Sequence, residues 1–134
     1  MDHQTFESKV AERAGVPPDQ AQALIRATLP TPAERITGGE AHDLAAQLPK
    51  QMKEWLEKDP GAPAESFGLE EFIRRVSDRA HVPSEQAREG ARAVFAILHE
   101  AVSGGEFRDV MSQLPSEFTE FAAAEPSERR KARG

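Results

Sequence analysis

"ITGGEAHDLAAQLP", Ile36 to Pro49, and "VSGGEFRDVMSQLP", Val102 to Pro115, are one phrase written twice, 66 residues apart. In each, a hydroxyl residue precedes two glycines and a glutamate, the S/T-x-x-E pattern of a capping box. The hydroxyl of Thr37 or Ser103 should accept from the amide three residues on, and Glu40 or Glu106 should reach back to the N-cap amide. The glycines are poor helix formers and are expected to serve a tight connection from the preceding helix. Past the cap, Leu44 and Leu48, or Phe107, Val110, Met111 and Leu114, supply a buried face. Pro49 and Pro115 disfavour helical geometry at the leucine before them and open a short final helix. Met52, Trp55 and Leu56 anchor that helix in the first copy, Phe118 and Phe121 in the second. Each phrase is a helix with a written start and a written stop.

The repetition extends well beyond the phrase. Residues 6–56 align with 72–122 without a gap, and 19 of those 51 positions are identical. Among them are Phe6/Phe72, Val10/Val76, Arg13/Arg79, Pro17/Pro83, Gln20/Gln86 and Arg26/Arg92. Chance does not give an ungapped match of that length, so the chain reads as a tandem duplication.

Each copy reads as helices. Leu69, Phe72, Ile73, Val76 and Ala80 fall on one helical face. Ala87, Ala91, Val94, Phe95, Leu98 and Val102 form a second stripe. Ile97 and Ala101 widen it, which marks this helix as the most enclosed element. "HVPSEQA" between them is a turn, with Pro83 or Ser84 opening the second helix. The copies part where "AVFAILHEAV" faces "ATLPTPAERI". Pro30 and Pro32 cannot both sit inside a regular helix, so the second helix of copy one should break near Leu29, with a short turn over Ala33 to Ile36. A unit of this size buries little apolar surface alone. The expected fold is therefore all-α: a single compact helical domain over 2–122, made of two tandem helical repeats with pseudo-two-fold symmetry. Repeat one covers 2–56, a linker 57–66 and repeat two 67–122, followed by a flexible basic tail over 123–134.

Composition bounds the function. The 134 residues include no cysteine, which removes disulfides, thiolate metal sites and cysteine catalysis. Seventeen basic residues stand against 23 acidic ones, a net charge of −6. Four cations lie in the tail from Arg129 to Gly134, leaving 13 against 23, or −10, for the rest. Such a body repels phosphate backbones and argues against nucleic acid as a partner. "MDHQTFESKV" has neither the basic nor the apolar region of a secretory signal, and no apolar run approaches the roughly 20 residues needed to span a bilayer. A cytoplasmic protein without a membrane partner is expected.

The candidate surface follows from the phrase. Glu40, Asp43 and Gln47 share one helical face, as do Glu106, Asp109 and Gln113. These would be two symmetry-related polar stripes, open to a protein partner or a small ligand. Every one of these residues also has a local use: the glutamate caps, the aspartate favours the positive helix end, and the glutamine satisfies nearby backbone. The repeated arginines Arg13/Arg79 or Arg26/Arg92 are available to pair with the aspartates inside each half. His3, His42, His81 and His99 form no metal-ligand spacing, so no metal ligand is assigned. "TGGE" and "SGGE" follow no strand and are not phosphate cradles, so no cofactor is assigned. No serine has a readable histidine partner, and no catalytic residue is assigned. Trp55, the sole tryptophan, aligns with Phe121 and is expected to be core or half-buried.

The duplication and the "GGE…D…QLP" phrase that closes each copy resemble the bacterial domain-of-unknown-function family 2267, over roughly Asp2 to Ala122. The resemblance implies a compact helical fold of bacterial, cytoplasmic proteins, and it carries over no reaction and no site. Copy one departs from the usual pattern at Pro30 and Pro32. A more local stretch, Phe72 to Glu106, is similar to the N-terminal helical hairpin of the histone-like HU proteins. The sheet and basic arms that grip DNA in that family have no counterpart here, and fold does not imply function. The leading reading is a non-enzymatic binding or interaction module. A small-molecule or metal-binding protein with its site between the repeats is the alternative, and an HU-like nucleic-acid accessory the weaker one.

Overall fold

The computed structural model describes residues 1–56 and 64–123. Within them the chain is all helix and loop, in the order α1 (His3–Ala14), α2 (Pro18–Thr28), α3 (Pro30–Arg35), α4 (Gly38–Ala46), α5 (Lys50–Lys53), α6 (Leu69–Ala80), α7 (Ser84–Ala101), α8 (Gly104–Ser112) and α9 (Ser116–Ala123). Most of the linker, 57–63, and the tail from 124 onward lie outside the described residues. The linker's last residues are described, and Glu65 N donates to Glu34 O at 2.8 Å.

Local sequence explains the boundaries. Asp2 caps α1 by accepting from Thr5 N at 2.7 Å, and Gly15 closes it in the left-handed region at φ 70°. The corresponding position after α6 is His81, which adopts φ 57°. The break at Leu29 falls where the prolines demand it. The next helix starts earlier than expected, at Pro30 itself. A first helical position needs no amide donor, so proline costs nothing there.

Burial follows the apolar stripes. α7 carries the longest buried face, including Ala87, Ala91, Val94, Phe95, Ile97 and Leu98. Phe72 packs against Phe95, Phe118 and Phe121 with ring centroids 5.3–6.1 Å apart, binding α6, α7 and α9 together. Phe6, Leu29, Ile36, Leu44, Met52 and Leu56 are fully buried on the N-terminal side. Each such side chain contributes about 1.5–3 kcal/mol by leaving water. All belong to one continuous core.

The two halves share that core. α1 packs on α7, α2 on α6, and α2 directly on α7. Polar contacts cross between halves in exchanged pairs. Lys9 binds Glu100 at 2.8 Å, and Arg75 binds Glu34 at 3.1 Å. Aligned residues 20 and 86 meet each other, Gln20 Nε2 donating to Gln86 Oε1 at 3.3 Å. Aligned residues 24 and 90 also meet. A Cβ on Gly90 would come within 2.6 Å of Leu24 Cδ2. Glycine in mid-helix is unfavourable by about 1 kcal/mol, and here it makes room for a buried leucine.

Candidate functional site

Both capping hydroxyls act as expected. Glu40 N donates to Thr37 Oγ1 at 3.2 Å, and Glu106 N donates to Ser103 Oγ at 3.1 Å. The second half of each capping box is different. Thr37 N donates to Gln113 Oε1 at 2.9 Å, and Ser103 N donates to Gln47 Oε1 at 2.7 Å. The glutamine that ends each helix thus caps the start of the other. This crossed pattern requires α4 and α8 to lie antiparallel, each C-cap beside the other's N-cap. Gln47 and Gln113 do satisfy backbone, but across the molecule rather than nearby.

The glutamines leave Glu40 and Glu106 without the expected partner, and these two turn toward each other. Oxygens of Glu40, Glu106 and Asp109 all lie within 4.8 Å of one another. Glu40 Oε1 and Glu106 Oε2 are sealed from solvent and no other residue donates to them. Desolvation first, then the hydrogen bond to Glu40, then the charges of Glu40, Asp43 and Asp109, push the Glu106 carboxyl up from 4.5 to about 8. Asp43 and Asp109 are exposed at the rim. The six stripe residues therefore form one seam between the halves, not two separate surfaces.

Three of the repeated arginines, Arg79, Arg92 and Arg26, are engaged away from the aspartates. Arg79 donates across the halves to Thr31 Oγ1 at 2.8 Å and to Glu34 at 2.7 Å. Arg92, almost wholly buried, pairs with Glu89 and donates to Phe121 O at 3.0 Å. Arg26 lies over the half-buried Trp55 ring, 5.8 Å from its centroid. The double glycines each follow a two-residue connection, Ile36–Thr37 or Val102–Ser103. None of the four takes a positive φ, and a Cβ on Gly39 or Gly105 would meet nothing within 4 Å.

Among the described residues, no histidine belongs to the group of seam carboxylates. His99 stacks on Phe107 at 4.1 Å, His3 pairs with Glu7 beside Trp55, His81 caps α6, and His42 is exposed. Among the described residues, Glu40, Glu106 and Asp109 are the group able to ligate a metal. No spacing rule finds that group, because its members come from two helices in different halves. A cleft of about 400 Å³ also lies between the halves, lined by Ala14, Val16, Leu24, Pro83 and Gly90 with Glu85, Gln86 and Glu89; sequence reading offered a site between the repeats but named none of these residues for it.

Among the described residues, no helix is long and apolar enough to cross a membrane. No curated protein matches the chain at a significant level. The profile of the family described as "Uncharacterized conserved protein (DUF2267)" matches residues 3–121, a span that takes in both capped helices and the whole seam. Matched over nearly all of its described length, the chain belongs to the DUF2267 family.

Proposed function

We propose that the protein is a non-enzymatic binding module of the bacterial cytoplasm, and that its binding element is the acidic seam between α4 and α8. The observation that carries this reading is the convergence of four carboxylates, Glu40, Asp43, Glu106 and Asp109, on one another. Like charges brought together repel. A cationic ligand relieves that repulsion and is attracted by it. The exposed aspartates make the rim reachable by a basic segment of a protein partner. The same proposal takes the halves as tandem copies about a local two-fold axis through the seam. The exchanged glutamine caps, the exchanged ion pairs and the Gln20–Gln86 contact support it.

Anisotropy of a labelled arginine-rich peptide, at about 50 mM salt, tests the seam. The wild type should bind, and Asp43→Asn combined with Asp109→Asn should weaken binding several-fold. Equal binding by the two proteins rules the seam out. The cleft beside Gly90 favours a second reading, a small apolar ligand held between the halves, since its volume lies within the usual range for such sites. A thermal-shift response to apolar compounds, lost on filling the cleft with Ala14→Leu, would identify it.

A further inference from the structure

We infer that the floor of the seam is a divalent-cation site in which Glu40 and Glu106 join the two halves through one ion and Asp109 completes the carboxylate set. This deepens, and rests on, the reading of the seam as the binding element.

The geometry is that of a hard cation. Ions of this class hold oxygens at about 2.0–2.6 Å, which places ligand oxygens about 3–5 Å from one another across the coordination sphere. The three carboxylates have oxygens within 4.8 Å of one another. The second observation is independent of acidity. Glu40 Oε1 and Glu106 Oε2 are sealed from water, and no other residue donates to either. A carboxylate oxygen denied both water and an outside donor is costly, and a bound ion supplies the missing partner.

The surroundings offer no substitute. Lys50 of α5 lines a separate cleft with Met1 to Gln4. His99 of α7 lies flat against Phe107. Arg108 of α8 has its Nη1 near Gly104, 3.6 Å from where a Cβ would stand. An all-oxygen set without cysteine or histidine selects magnesium, calcium or manganese over zinc or copper. Asp109 is exposed, so one side of the sphere stays open to water or to a ligand's oxygen. The crossed glutamines hold both helix starts in place, so the carboxylates are preorganised.

The test uses the full chain, stripped with a chelator and returned to metal-free buffer at about pH 9, where a proton no longer bridges the glutamates. Its thermal midpoint is followed against magnesium, calcium and manganese chlorides. The inference expects a saturable rise of several degrees with at least one of them. The rise should vanish in Glu40→Gln and Glu106→Gln and persist in Glu70→Gln on the remote α6. Both seam variants should fold, because each removes a repulsive charge while keeping the side-chain shape. No rise at several millimolar of all three ions, or an equal rise in Glu106→Gln, overturns the site. Peptide capture without a metal response removes the ion and leaves the seam as a binding surface. A metal response without peptide capture supports the ion and removes the protein partner.

Discussion

Four side chains decide what the seam is. Gln47 and Gln113 occupy the amides that Glu40 and Glu106 would otherwise cap, and the glutamates are thereby set against each other. Removing either glutamine leaves an N-cap amide without its acceptor. Gln47→Ala and Gln113→Ala should each cost about 1 kcal/mol in urea denaturation, the worth of one hydrogen bond. The glutamate pair sets a pH dependence. The folded-state value of Glu106 is raised above 4.5, so the folded protein holds a proton that the unfolded chain releases first. That stabilisation is fully present below about pH 4.5 and is lost as pH rises through about 8. In metal-free buffer the thermal midpoint should therefore fall between pH 6 and 9, and Glu106→Gln should flatten this part of the profile. The hydroxyl caps were legible in sequence because both partners lie within one turn. The destinations of Gln47 and Gln113 were not, since their acceptors lie in the other half and only the packing of α4 on α8 brings them near.

At the scale of elements, what a helix needs from its own residues was readable. Proline placed the break at Leu29, and the leucine-proline stops placed the ends of α4 and α8. The apolar stripes of α6 and α7 became the core in the order that their spacing gave. Arg92 escaped that reading, because a buried arginine depends on Glu89 and on a carbonyl of α9. The helix ends also expose a defect. Gly15 closes α1 in a left-handed conformation without strain, whereas His81 does the same for α6 while carrying a Cβ. His81 is exposed, so only its backbone is at issue. His81→Gly should stabilise the protein by about 0.5–1 kcal/mol, read from the urea midpoint at constant slope.

Over the whole molecule, the two halves are one body because their aligned faces meet. At the buried counterpart positions 24 and 90 two large side chains cannot share the space, and Leu24 opposite Gly90 is the resolution found here. Gly90→Leu should destabilise by about 1–3 kcal/mol through overpacking, and Leu24→Gly by about 3–5 kcal/mol through the cavity it leaves. The transposed double variant keeps the volume and should recover at least about 2 kcal/mol of the summed loss. Recovery of nothing would mean that the two positions do not occupy a common space. The repeated sequence was visible, but not which faces of the two halves would meet. That is why six residues anticipated on two stripes lie along one seam.

The most direct test of that single site is a double-mutant cycle of Glu40→Gln and Glu106→Gln, measured by urea denaturation in chelator at about pH 9. If the carboxylates face each other across the seam, each single change relieves the same repulsion and stabilises the fold. The second change then adds little, giving a coupling of at least about 1 kcal/mol even after screening by water. Two independent, additive effects would contradict the account and return Glu40 and Glu106 to separate faces of the molecule.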